Sequence, residues 1–127
     1  MGLSPSQCRI LPTFRTSATT AGAAPYALDP VVLAEAIKED AAAGKTPFFA
    51  CATMGTTSTG AFDPLLALGK VCAEAASTAG GGGVRVWLHV DAAWAGAALI
   101  CPEYRTFLAA EGLVLADSWA FNPHKWL

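Results

Sequence analysis

The sequence is short of charge. Only 14% of its 127 residues are Asp, Glu, Lys or Arg, against roughly 25% in an ordinary soluble domain. The hydrophobic share is 54%, and a disordered tail or solvated linker would need the reverse balance. A basic excess is missing too. The formal net charge of -2 offers no positive field to a phosphate backbone, so no nucleic-acid partner is expected. Nor does any apolar run approach the ~18 uninterrupted residues of a membrane span; Asp91 and Glu103 flank the richest stretch, and no membrane partner is expected. No basic region followed by an apolar run reads as a secretory signal. Cys8, Cys51, Cys72 and Cys101 form no C-x-x-C pair. Buried, reduced thiols in a cytoplasmic protein are therefore expected, rather than disulfides or zinc.

What is present is a core-like chain. Its length allows one domain, since domains commonly run to about 100–200 residues. A mean hydropathy of +0.42 is high for that length and points to apolar faces covered by something outside these residues. Met1-Gly2-Leu3-Ser4-Pro5-Ser6 formally matches an N-myristoylation pattern, but the pattern is short and Pro5 stiffens it.

Residues 1–27 read as an irregular lead-in, and residues 28–127 alternate helix and strand signals. Asp29-Pro30 predicts a helix start, an N-cap followed by a proline whose missing N–H is harmless in the first turn. Leu33, Ala36 and Ile37 give an apolar stripe, and Gly44 a stop. Pro47 to Ala52 is apolar on both faces, as a buried parallel strand should be. After the polar loop Gly55 to Gly60, Asp63-Pro64 predicts a second helix, ending before the glycine run 80–83, which reads as a surface connection. Val84 to Val90 is β-branched and aromatic and predicts a strand closed by Asp91. A helix is expected from about Pro102, and a weaker strand over Asp117 to Phe121. This order predicts an α/β layer with parallel strands.

In such a sheet, ligands gather beyond the carboxyl ends of the strands. Three polar groups fall there: Thr56-Thr57-Ser58, Asp91, and Asn122 with His124 and Lys125. Each has an ordinary reading beside the functional one. Thr and Ser in turns commonly satisfy local backbone groups, and Asp91 could be a turn carboxylate. His89 shares a strand face with Asp91 and reads as a hydrogen-bonded core residue, because His89, Asp91 and His124 match no strong metal-ligand spacing. The Gly55–Gly60 loop lacks the lysine of a phosphate-binding loop, which leaves a nucleotide-binding module without support. Lys125, set between His124 and Trp126 beside a proline, is expected in apolar surroundings that disfavour its ammonium form and free a nucleophilic amine. A strand-end carboxylate, an amine able to form a Schiff base and small hydrogen-bond donors together suit pyridoxal 5'-phosphate (PLP).

Four blocks carry a resemblance: Phe48 to Thr57 (FFACATMGTT), Trp87 to Gly96 (WLHVDAAWAG), Ile100 to Arg105 (ICPEYR), and Ala116-Asp117-Ser118 through Asn122-Pro123-His124-Lys125-Trp126. In order and spacing they resemble the aromatic-L-amino-acid decarboxylases. This is the group II PLP-dependent branch that includes plant tyrosine and tryptophan decarboxylases. The resemblance runs from about Cys8 to the last residue and implies an internal fragment of a fold type I large domain, three-layered around a mostly parallel sheet. It implies that Lys125 forms the Schiff base and that Asp91 pairs with the pyridinium nitrogen. Ala93 would pack on one ring face, Thr57 would hydrogen-bond near the ring, and Asn122 and His124 would hold the phosphate end. Trp94 stands where the family usually has tyrosine, and the glycine run is longer than the family's connection. The implied activity is a carboxy-lyase converting aromatic L-amino acids to amines, homodimeric in full-length form. By the same resemblance, the upstream phosphate-binding loop, the ring-stacking histidine, the mobile catalytic loop and the small domain lie outside these residues. Two alternatives stay open: a truncated, non-catalytic chain of the same family, and an aromatic aldehyde synthase.

Overall fold

In a computed structural model, residues 2–13, 25–77, 84–106, 108 and 110–126 are described. Three strands, β1 (Phe49–Thr53), β2 (Trp87–Asp91) and β3 (Ser118–Ala120), form a sheet in the order β1-β2-β3. Both pairings are parallel: Phe49 lies opposite Trp87 and Thr53 opposite Asp91, while His89 lies opposite Ser118 and Asp91 opposite Ala120. All three carboxyl ends therefore point the same way, as the alternating pattern requires.

Helix α1 (Pro30–Ala42) starts as its sequence dictates, with the Asp29 carboxylate accepting from the Val31 N–H at 2.8 Å and Pro30 in the first turn. It ends at Ala43, and Gly44 follows at φ +75°, the left-handed region that glycine enters without penalty. Helix α2 (Leu65–Glu74) forms where expected, but Asp63 does not cap it. Pro64 holds the N-cap position with no side-chain bond, and the Asp63 carboxylate turns elsewhere. The helix expected from Pro102 is a single turn, α3 (Pro102–Arg105), flanked by 3-10 turns at Ala95–Ile100 and Ala110–Leu115. The glycine run 80–83 lies outside the described residues.

The core forms where α1 and α2 close over one sheet face: Leu33, Leu65, Leu68 and Cys72 pack with Ala52, Leu88 and Val90. Close approach of α2 to the Ala110–Leu115 turn depends on Gly112, where a Cβ would lie 2.4 Å from the Leu66 backbone nitrogen. The opposite sheet face corrects an expectation. The strand at Phe48 to Ala52 is not buried on both sides; Phe48 and Phe49 are 53% and 52% exposed, and Trp87 on the neighbouring strand is 50% exposed. Period-two alternation sends Phe49, Cys51 and Trp87 to this open face. These residues thus supply the sheet and one helical layer of the three-layer arrangement. The cysteines follow the same division. All four are free thiols, but only Cys72 is buried; Cys8 and Cys51 are exposed and Cys101 is intermediate. Among the described residues no helix is long and apolar enough to cross a membrane.

Candidate functional site

The backbone ladder continues one step past each strand end. Met54 N–H donates to the Asp91 carbonyl at 2.8 Å, and Ala92 N–H to the Ala120 carbonyl at 2.9 Å. The chain segments that leave β1, β2 and β3 are therefore held side by side at one end of the sheet; Thr57, Ala93, Asn122, His124 and Lys125 lie on them, Asp91 is the last residue of β2, and His89 lies within that strand.

The loop after β1 is closed by its own bonds. Gly55 (φ +83°) and Thr56 both donate N–H to the Ala61 carbonyl, each at 3.0 Å. The Thr56 and Thr59 hydroxyls pair at 2.6 Å, and Thr56 Oγ1 accepts from Ala61 N–H at 3.0 Å. Local satisfaction thus accounts for Thr56 and Thr59, while Thr57 is exposed at the loop tip. The loop after β2 begins with Asp91, exposed, whose Oδ1 accepts from the Ala93 N–H at 3.0 Å. This is the turn role its position allowed, and it leaves the carboxylate facing outward. Ala93 beside it is half-buried. The loop after β3 carries a 3-10 turn, Pro123–Lys125, led by half-buried Asn122. Lys125 N–H donates to the Asn122 carbonyl at 3.2 Å. The apolar enclosure expected around Lys125 is not found, because His124, Lys125 and Trp126 are all exposed; Trp126 packs on Trp94 instead, ring centroids 5.4 Å apart.

His89 is half-buried and bonded, as its ordinary reading required. Its Nδ1 lies 2.8 Å from Ser118 Oγ, which also accepts from Trp87 Nε1–H at 2.9 Å. An indole N–H can only donate, so Ser118 Oγ is the acceptor in that pair and joins the Trp87 and His89 side chains. Among the described residues no three His, Cys, Asp or Glu side chains are grouped to hold a metal.

Asp63 is the residue that sequence reasoning missed. Its Oδ1 accepts from Leu28 N–H and its Oδ2 from Thr53 N–H, each at 2.7 Å, while its own N–H donates to the Thr53 carbonyl at 3.0 Å. It ties the last residue of β1 to the segment leading into α1, and so fixes the base of the Thr57 loop. Burial pushes its carboxyl above the ordinary range, opposed by the two N–H donors. The usable signal was its place immediately after a loop bounded by Gly55 and Gly60, where a carboxylate can reach back to the strand end.

Residues 24–127 match the profile of the pyridoxal-dependent decarboxylase conserved domain. The chain is 47% identical over 125 residues to the phenylacetaldehyde synthase of Arabidopsis thaliana, covering 98% of this chain and 22% of that protein. It is 50% identical over 102 residues to tyrosine decarboxylase 2 of the same plant, covering 80% and 17%. The crystal structure of Oryza sativa TDC with PLP and tryptamine superposes with a TM-score of 0.79 at 42% identity, covering 98% of this chain and 22% of that one. The chain thus spans about a fifth of the length of the relatives it matches.

Proposed function

The chain belongs to the pyridoxal-dependent decarboxylase family, and on that premise we propose that it is a piece of the cofactor-binding large domain of a carboxy-lyase converting aromatic L-amino acids to amines. One observation carries the reading: the loops after three parallel strands bring Thr57, Asp91 with Ala93, and Asn122 with His124 and Lys125 to one end of the sheet.

The chemistry of this donor set fits PLP. Asp91 offers an outward-facing carboxylate for the pyridinium nitrogen, and the methyl group of Ala93 leaves room for a flat ring beside it. Lys125 offers an exposed primary amine for the aldehyde carbon. Asn122 and His124 offer N–H groups for the phosphate, and Thr57 a hydroxyl near the ring. When bound, the cofactor supplies an electron sink for the pair released as CO₂ departs. Asp91 keeps the ring nitrogen protonated, which holds that sink deep, and Lys125 fixes the cofactor in the strand-end site. The reading extends to a homodimer in the full-length form. A cytoplasmic location is supported by four unpaired thiols, which suit a reducing compartment.

A second reading has its own support. A phenylacetaldehyde synthase is similar over 98% of this chain, so the product could be an aldehyde, released with ammonia and hydrogen peroxide at the expense of dioxygen, rather than an amine. The test places these residues in the matching segment of Arabidopsis tyrosine decarboxylase 2. It follows CO₂ from carboxyl-labelled tyrosine, dopa and tryptophan alongside amine, aldehyde and peroxide. CO₂ release abolished by Lys125→Ala is the expected result; the residues that separate amine from aldehyde lie outside this chain, so a parallel chimera in the Arabidopsis phenylacetaldehyde synthase asks whether the same residues support either product. No CO₂ from a folded chimera refutes both and leaves a non-catalytic chain.

A further inference from the structure

The turn that carries Lys125 is fixed in shape by its own short bonds, Lys125 N–H to the Asn122 carbonyl and Trp126 N–H to the Pro123 carbonyl. Those bonds do not orient it on the sheet. Among the described residues, one hydrogen bond joins residues 121–126 to another loop: Trp126 Nε1–H donates to the Trp94 carbonyl at 2.6 Å. The two indoles pack at a tilt of 52° with centroids 5.4 Å apart. The Trp94 ring in turn lies on Gly55, where a Cβ would meet Cε3 at 2.7 Å. Trp94, on the loop after β2, thus touches both the loop after β1 and the loop after β3.

We infer that Trp126 is a positioning residue: by bonding the Trp94 carbonyl and packing on its ring, it orients the Lys125 turn toward the loop of Asp91 and Ala93. The inference rests on the proposed role of Lys125. A lysine side chain is a long lever, and a small rotation of its turn displaces the amine by an ångström or more. Misplacement of about 1 Å can cost about a hundredfold in a reaction between held groups.

The test uses the 127-residue chain and pyridoxal phosphate itself. Lys125 Nζ adds to the aldehyde carbon with loss of water. Borohydride then delivers hydride to that carbon, leaving a secondary amine that peptide mass mapping locates. In the parent, Lys125 should take the label in preference to Lys38, Lys45 and Lys70. Trp126→Phe keeps a ring but removes the N–H donor. It should lower the Lys125 share about tenfold, the upper end of one hydrogen bond's net contribution. Acetylation of Lys125 without cofactor, referenced to the same three lysines, should stay within about twofold of the parent, because an exposed amine needs no orientation to meet a small reagent. Hydrogen exchange at the Lys125 and Trp126 amides should quicken, while exchange at Leu88 and Val90 reports that the sheet is intact. If the sheet loosens, a benzothiophene analogue of Trp126, which removes only the N–H, replaces the phenylalanine variant.

Unchanged labelling overturns the inference, as does an equal loss of labelling and acetylation. A parent with no preference for Lys125 instead removes the proposed cofactor role. The exchange measurement then decides alone whether Trp126 holds the turn, and unchanged protection at Lys125 and Trp126 refutes it.

Discussion

Asp63→Asn tests the fold at its least obvious joint. In the parent both carboxylate oxygens accept backbone N–H groups, from Leu28 and Thr53, each at 2.7 Å. Asparagine has one acceptor oxygen and sets an NH₂ group against the second donor. Orphaning one such N–H and opposing it with another donor should destabilise by about 1–3 kcal/mol. The pH dependence sharpens the test. Burial raises the folded-state carboxyl above its reference value of 3.8, against the pull of the two N–H donors. The folded state therefore binds more protons than the unfolded state just above that value, and stability falls with rising pH there. The contribution of Asp63 is complete below 3.8 and declines as pH rises through the folded value; the asparagine variant has no such dependence. A protonated carboxyl still offers a hydroxyl lone pair to the second N–H, which an amide NH₂ does not. The stability gap between parent and variant should thus be largest in acid and narrow toward neutrality. Urea unfolding of both proteins from about pH 3 to pH 7, with equal slopes, measures the gap. A gap that widens with pH would show that the N–H donors outweigh burial, and would refute the reasoning.

Three further outcomes follow from the packing and the site. Gly112→Ala forces a Cβ to within 2.4 Å of the Leu66 backbone nitrogen, and because backbone cannot rotate away, thermal unfolding should show a loss of about 1–3 kcal/mol. Alkylation followed by peptide mapping should modify exposed Cys8 first and Cys72 last, since burial pushes the Cys72 thiol up to about 11 and the thiolate is the reactive form, with Cys51 slower than its exposure suggests because partial burial and the Asp91 charge also push its thiol up; early modification of Cys72 would mean the α2 face is open. With these residues placed in a full-length relative, where the bound ring would cover the now exposed Asp91, Asp91→Asn should retain PLP but lose about two decades or more of kcat, because breaking a charge pair buried in that way costs about 3–5 kcal/mol and each 1.36 kcal/mol in the barrier is about tenfold; a variant within about threefold of the parent would mean that another group holds the ring nitrogen.

Local rules carried the sequence reading a long way where the determinants are local. Asp29-Pro30 and Gly44 bracket α1 because capping and left-handed geometry are decided by a residue and its neighbours within a turn. The three strands fall within two or three residues of their expected spans, since β-branched and apolar runs bounded by turn residues persist in any context. Failures occurred where the deciding partner is remote. Asp63-Pro64 has the look of a helix cap, yet its carboxylate partners lie 10 and 35 positions away. Gly112 looks like an ordinary turn glycine, and only the packed Leu65–Leu66 backbone reveals why no side chain fits. An apolar strand does not disclose which of its faces is covered by residues of the same chain, so the Pro47 to Ala52 run reads as buried on both faces although Phe49 is half exposed. In the candidate site, strand-end logic located Asp91 and the Lys125 turn, but the bond that joins the turn to Trp94 depends on a backbone carbonyl that no side-chain pattern displays.

The aspartates at the strand ends differ in a way that supports the choice of Asp91. Asp117 precedes β3 and uses Oδ2 on the Leu88 N–H at 2.8 Å and Oδ1 on Arg85, which also donates to the Leu115 carbonyl at 3.0 Å. Asp63 likewise uses both oxygens on backbone donors. Each is consumed by the fold, and a ligand at either would have to displace bonds that hold the sheet together. Asp91 uses Oδ1 on the N–H of its own turn and is otherwise exposed. That bond orients the carboxylate without occupying it, since an ionised carboxylate has about four acceptor sites. A carboxylate meant to face a cationic ring nitrogen should be oriented by its backbone yet open to the ligand, and of these three only Asp91 meets both conditions.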